Sequence, residues 1–351
     1  MPRTTQKLVT LLLFVGSIAG GGWLALRFTP FLGVGLFLCG AALALREMLI
    51  ESPGWRRLVV GLVLLIGLPA VAIGAQQLRC RYQARPEAKR EQLFQGVEYV
   101  REIVTEPAPA VVHLLIVDLK VPGVEVLVTP PDMPGQLRAV RARTTSQFAS
   151  EFGLQAAINA SNYYPFERRN PWTYWPYARE PKGVVGGAAS NGVPYGQTDR
   201  FYPALHVSQD KHATIEYPAG KNDNDHWYTA AAGIKHFIKD GRPIHMNPGA
   251  PEATTAVGID PTGTVLVLVV VEGDQSPYSA GIDRPTLTDL LLRYDVHNAL
   301  GLDGGGSSTM VVADHSGRPR TVNRPVQGTI PGIERPVGNH IGIIAPPLNA
   351  P

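Results

Sequence analysis

The sequence predicts an α+β fold in which N-terminal transmembrane helices are followed by a β-rich domain. Three long apolar runs crowd the first 78 residues. From Val111 onward, short apolar and β-branched runs alternate with Gly- and Pro-containing turns, the mark of strands. Only two downstream stretches carry helical spacing. The 351 residues allow two or three units at roughly 100–200 residues each, and a hydrophobic share of 44% excludes a disordered chain. Two cysteines exclude a disulfide framework and a four-cysteine zinc site. A net charge of +3 without a basic, aromatic-laced stripe gives no reason to expect a nucleic acid partner.

Residues 1–78 are read as a membrane anchor. Its apolar runs are Leu8 to Leu26, Phe31 to Leu45 and Leu58 to Ala75; a helix needs roughly 17–25 apolar residues to cross a bilayer. Arg3 and Lys7 precede the first run, and Arg46, Arg56 and Arg57 separate the second from the third. The positive-inside rule places both groups in the cytoplasm, so three spans put the rest of the chain outside. The expectation is an integral membrane protein of the cell or inner membrane whose larger domain faces the extracytoplasmic side. Arg79, Arg81, Arg85, Lys89 and Arg90, directly after the third run, pull the other way. Residues 79–107 mix Arg, Glu, Gln and Lys and end in Glu106-Pro107-Ala108-Pro109, which reads as a linker, either an exposed helix or a flexible tether.

Residues 108–351 form the third segment. Val111–Leu119 and Val124–Val128 are read as strands around the turn Val121-Pro122-Gly123, and Gln155–Ile158 as another. Val265–Val271 is a continuous β-branched run of the kind buried within a sheet. Thr144 to Phe152 has Phe148 and Phe152 four apart and reads as a short helix. Thr286 to Tyr294 reads as a second, with Thr286 as N-cap and Asp289 near capping-box spacing.

Chemistry concentrates in Leu302-Asp303-Gly304-Gly305-Gly306-Ser307-Ser308-Thr309-Met310, wedged between two apolar segments. Three glycines let backbone N–H groups converge into an anion-binding nest, and three hydroxyls add donors. Asp303 at a strand end suits acid/base work. A plain hairpin turn is the competing reading, although it needs one glycine and not three. No Lys follows the glycines, so this is not a nucleotide P-loop, and no Gly-x-Ser-x-Gly elbow is present. Glu272 ends the Val265–Val271 run and makes a second carboxylate for two-carboxylate glycoside hydrolysis, or else a solvated turn. Asn159, at another strand end, suits a sugar hydroxyl or an Asx-turn. Aromatics between Tyr163 and Tyr177 suit sugar stacking or loop packing equally. Asn222-Asp223-Asn224-Asp225-His226 resembles a cation loop in composition, without the glycine and terminal Glu of an EF-hand, and reads better as a solvated polar turn. His340 is the most site-like of histidines that lack metal-ligand spacing.

The stretch from Thr286 through Met310, above all Asp303 to Thr309, resembles the phosphodiester glycosidase family, which includes a mannose 6-phosphate uncovering enzyme and bacterial exopolysaccharide-associated relatives. Ordered pieces extend the resemblance over most of residues 110–346: Thr145-Ser146-Gln147-Phe148-Ala149, Ala156-Ala157-Ile158-Asn159, Thr255-Ala256-Val257-Gly258-Ile259, Asn323-Arg324-Pro325 and Glu334-Arg335-Pro336-Val337-Gly338-Asn339. The family pattern departs here in its Asn-Gly-Gly-aromatic loop, which stands as Asn159-Ala160-Ser161-Asn162-Tyr163. It departs again where two arginines are replaced by Thr254 and Asp274, with Arg284, Arg335 or Arg168-Arg169 available to compensate.

The resemblance implies a membrane-anchored glycoside hydrolase acting on a sugar-1-phosphodiester or related glycosidic linkage of a surface glycan or exopolysaccharide. Asp303 and Glu272 are the expected catalytic pair. Asn159, Gly304, Gly305, Gly306, Ser307, Ser308, Thr309, Arg335 and Asn339 are expected at the substrate. The alternative is a non-catalytic glycan-binding or exopolysaccharide-assembly protein that keeps the fold. Expected partners are the glycan or sugar phosphodiester and the lipid membrane. No cofactor is expected, and a divalent cation is left open.

Overall fold

The structure is a computed structural model that describes residues 54–166, 176–220, 226–244, 247–328 and 330–348. The chain divides into two compact units: Met1–Gln83 with Gly328–Pro331, and Ala84–Gln327 with Gly332–Pro351. In the first unit the described helix is Gly54–Tyr82, 29 residues long with Pro69 inside it. Arg79 and Arg81 occupy its last turn, where a cation complements the helix dipole. Three membrane-spanning helices are not carried by the described residues, among which no helix is long and apolar enough to cross a membrane. The third apolar run falls on this helix, and the first two lie outside the described residues.

In the second unit, an eight-stranded antiparallel sheet runs in the order Lys89–Phe94, Val97–Val104, Ala110–Asp118, Val265–Val271, Thr254–Ile259, Asn298–Gly301, Lys235–Lys239, Arg242–Pro243. The linker reading of residues 79–107 is corrected here. Val97–Val104 pairs with Ala110–Asp118 along its whole length, from Val97 opposite Val117 to Val104 opposite Ala110. Val97 and Tyr99 are buried, while the edge strand Lys89–Phe94 is largely polar. Such a charged edge strand resists pairing with other chains and looks like a tether in sequence.

A second sheet runs Pro319–Thr321, Met310–Ala313, Ala156–Asn159, His340–Ile344, Glu125–Val128. A third is built around Gly186–Ser190, Thr229–Ala232 and Ala204–Val207. All three contribute to one apolar core, which joins Leu115, Leu268 and Leu300 to Ile158, Met310 and Ile341 and to Leu205 and Ala231. Alternation of side chains along a strand sends the remaining apolar residues to the far faces. There Leu287, Leu290 and Leu291 of the helix Arg284–Leu292 cover the first sheet. Phe148 and Ala149 of the helix Thr145–Phe152 cover the second.

The expected Thr144 helix forms, with a capping box between Thr144 and Gln147 and left-handed Gly153 at its end. The other helix starts earlier than expected. Asp283, not Thr286, is the N-cap, and its carboxylate accepts the Thr286 N–H. Pro285 sits in the first turn, where its missing N–H costs nothing.

Candidate active site

The glycine–serine loop is the link between sheets. It leaves the first sheet after Gly301 and enters the second at Met310. Val265–Val271 and Asn298–Gly301 both pair antiparallel with Thr254–Ile259, with Val271 opposite Thr254 and Gly301 opposite Ala256. They therefore run parallel to each other, and Glu272 and Asp303 leave the sheet at the same end, one strand apart. Two interstrand spacings put their backbones roughly 10 Å apart.

Asn159 pins this junction. Its amide donates to the Asp303 carbonyl at 2.6 Å, and its carboxamide oxygen accepts from Thr255 Oγ1 at 2.8 Å and the Thr309 N–H at 3.1 Å. The side chain is fully buried and committed to these bonds, so the structure places it behind the loop as a clamp. Asn339 is placed alike. It accepts the Ser161 N–H at 2.8 Å, donates to Ser161 Oγ at 3.3 Å, and is fully buried. Ser308 is held by Thr255 and by Asn323, whose amide donates to the Ser308 carbonyl at 2.9 Å.

Of the backbone donors expected to converge on an anion, four are engaged within the fold. The loop folds into one 3₁₀ turn, Gly305–Ser307. The N–H groups of Gly305, Ser307 and Ser308 go to the carbonyls of Ala253, Gly304 and Gly305, and that of Thr309 goes to Asn159. The 3₁₀ turn bends the Ser307 and Ser308 N–H groups back on its own carbonyls, and Ala253 and Asn159 take the other two. The glycines serve close approach. Gly305 takes φ +59°. A Cβ on Gly306 would collide with the Arg335 guanidinium and lie 2.8 Å from the Val326 carbonyl oxygen.

Asp303 is partly buried beside this turn. Burial pushes its carboxyl up to about 6, and the Ser307 hydroxyl, the Arg335 guanidinium and the Gly304 N–H offset part of that rise. Arg335 donates from Nη1 to Ser307 Oγ at 3.3 Å and from Nε to Gln327 Oε1 at 2.6 Å, and its Cζ stands 5.2 Å over the Phe166 ring. Ser307 thus lies between the site's acid and its cation. Of the candidate compensating arginines, Arg335 is the one brought here. Arg284 starts a helix, and Arg168-Arg169 lie outside the described residues, as does most of the aromatic segment.

Glu272 is enclosed, at 3% exposure. Its Oε1 meets His113 Nε2 at 3.0 Å, and His113 Nδ1 meets the Tyr99 hydroxyl at 2.8 Å. Burial pushes the Tyr99 phenol up to about 12, and burial with the Glu272 charge does the same to Tyr278. The two carboxylates therefore differ: Asp303 stands with a cation at a loop, and Glu272 sits within a Tyr–His–Glu chain. His340 packs as a structural ring, stacked 4.7 Å from Phe148 and held neutral by burial, its pKa lowered to about 3.

Sequence reasoning missed His113 and Gln327, and read Tyr163 only as an aromatic for stacking or loop packing. Tyr163 is buried near Asp303, Ser307 and Arg335, and burial raises its phenol well above the ordinary value. His113 lies in an apolar strand, where a lone polar residue among Val112, Leu114 and Leu115 was the available signal. Gln327 carried none. Among the described residues no group of His, Cys, Asp or Glu could hold a metal ion, and residues 221–225 of the cation-like loop lie outside them.

A family model described as phosphodiester glycosidase matches residues 152–344, which take in Asn159, Glu272, the whole glycine–serine loop and Arg335. Two solved structures share the fold. One is a hypothetical protein from Synechocystis, at a TM-score of 0.51 and 13% identity, covering 74% of this chain and 64% of that one. The other is the zebrafish N-acetylglucosamine-1-phosphodiester alpha-N-acetylglucosaminidase catalytic domain, auto-inhibited by its pro-peptide, at a TM-score of 0.50 and 18% identity, covering 75% of this chain and 85% of that one. At these identities the likeness is one of fold. No curated protein matches the chain.

Proposed function

Because the chain belongs to the phosphodiester glycosidase family, we propose that it hydrolyses the glycosidic bond of a sugar-1-phosphodiester, with Asp303 as general base. The observation that carries this reading is the Asp303 carboxyl raised to about 6 with Arg335 and Ser307 beside it. At pH 7 such a group is mostly ionised and a stronger base than an ordinary carboxylate. Asp303 takes a proton from water as the water oxygen bonds to the anomeric carbon. The bond from that carbon to the phosphate oxygen breaks, and a phosphomonoester leaves. A phosphomonoester has a second pKa of about 6 and departs without a strong acid. What it needs is a cation, and Arg335 supplies one.

Glu272, at the same end of the sheet, is the second acid/base candidate, oriented by His113. Ser307, Gly304 and Gly306 shape the wall against which the phosphate lies; Asn159 and Asn339 act behind it. The N-terminal apolar runs support a membrane anchor with this domain on the extracytoplasmic side, and a surface glycan or exopolysaccharide as the substrate's source. A reporter fused after Pro351 tests that placement.

The test of the activity is release of free sugar from a sugar-1-phosphodiester by the full chain. Turnover that disappears in Asp303→Asn supports the reading. Tight glycan binding by the parent chain without turnover would replace it with the non-catalytic alternative.

A further inference from the structure

Around Ser307 the protein holds two buried donors that make no hydrogen bond of good geometry within it. Arg335 Nε donates to Gln327 Oε1 at 2.6 Å. A guanidinium only donates, so this bond fixes the amide's orientation and leaves Nε2 as its donor end. Gln327 is 2% exposed, and that Nε2 has no hydrogen-bond partner. Tyr163 is 7% exposed, and its hydroxyl faces the Ser307 hydroxyl closely enough for Ser307 to ease its ionisation, yet outside good hydrogen-bond geometry. The polar groups that face it are Arg335, Asp303 and Ser307, with Glu180 beyond. Phe166 closes the apolar side, 6.0 Å from the Tyr163 ring and 5.2 Å from Arg335 Cζ.

Buried donors left unmade are costly, so a protein that keeps two of them beside a guanidinium favours an acceptor brought from outside. A cation finds no welcome among donors. A neutral hydroxyl can accept from one or two of these donors, whereas an oxyanion can accept from all three groups. The N–H groups of Gly305, Ser307, Ser308 and Thr309, engaged with Ala253, Gly304, Gly305 and Asn159, do not take this role.

We propose that Tyr163 and Gln327, together with Arg335, form a side-chain oxyanion subsite beside Asp303 that holds a phosphate oxygen of the substrate. The subsite rests on the phosphodiester reading for its ligand class, and assigns that ligand's charged end to residues outside the glycine loop. The test is calorimetric titration of inorganic phosphate into the full chain and into Tyr163→Phe and Gln327→Glu. The parent chain binds phosphate. Tyr163→Phe binds about tenfold more weakly, as loss of one hydrogen bond to a charged group implies, and Gln327→Glu, which also sets a carboxylate against Arg335 and the phosphate, binds more weakly still. Tyr163→Phe keeps the ring and its packing and removes an unmade buried donor, so its unfolding temperature without phosphate is equal to or above that of the parent chain. No phosphate binding by the parent chain, or unchanged affinity in both variants, overturns the subsite. Phosphate binding that depends on Tyr163 and Gln327 without cleavage of any phosphodiester sinks the hydrolase reading and leaves the subsite standing. Cleavage with phosphate affinity unmoved by either variant does the reverse.

Discussion

Replacing Asp303 with Asn should make the protein more stable while removing its activity, and the size of the gain should depend on pH. Burial raises the Asp303 carboxyl from 3.8 to about 6, so the folded protein binds this proton more tightly than the unfolded chain. Stability from the group is fully present below about pH 4 and declines as pH rises through about 6. At 1.36 kcal/mol per tenfold change in proton affinity, the ionised form is destabilised by about 2–3 kcal/mol at pH 8. Asn mimics the neutral form at every pH, and the Asn159 bond to the position 303 carbonyl survives the change. For a domain of this size the gain is about 5–10 °C in unfolding temperature at pH 8, shrinking toward zero near pH 4. Thermal unfolding of both proteins across that range measures it. An Asp303→Asn variant less stable than its parent at pH 8, or a difference that ignores pH, would refute the burial of a working carboxylate.

Asn159→Ala removes three bonds to the loop and its neighbours and should cost about 3 kcal/mol in denaturant unfolding, with turnover falling because Asp303 loses its clamp. Gly306→Ala should lower turnover while circular dichroism stays native, since the added methyl displaces Arg335 from Ser307. Arg143, 2% exposed, donates to Asp132 and Glu151 at 2.7–2.9 Å; Arg143→Met should destabilise by about 3 kcal/mol. Burial alone would raise Asp132, but Arg143 and the Arg141 N–H outweigh it, and Arg143 lowers Glu151. Their support is present above about pH 4 and lost as pH falls further, so acid unfolding should begin at higher pH in Arg143→Met.

The parts of the site legible in sequence are those whose signal is local. Three glycines after an acid mark Asp303 and the loop, a β-branched run ending in Glu marks Glu272, and two phenylalanines four apart mark the helix Thr145–Phe152. The residues missed are those whose meaning is made by a distant partner. Gln327 matters through Arg335, and His113 through a glutamate 159 positions away. Glycine content announces freedom of φ without saying where the N–H groups point; here the 3₁₀ turn, Ala253 and Asn159 take four of them. Residues 89–104 hid as a tether because one strand lies at a sheet edge with a charged outer face.

The pH dependence of kcat/KM for sugar release from a phosphodiester tests the central claim most directly. A base that ionises at about 6 gives a rate that climbs through pH 6 to a plateau, about tenfold lower at pH 5. The diester carries a constant charge across that range, so the limb belongs to the protein. A rate that is flat from pH 5 to 7.5, or a limb that persists in Asp303→Asn, would contradict the assignment of Asp303 as the base.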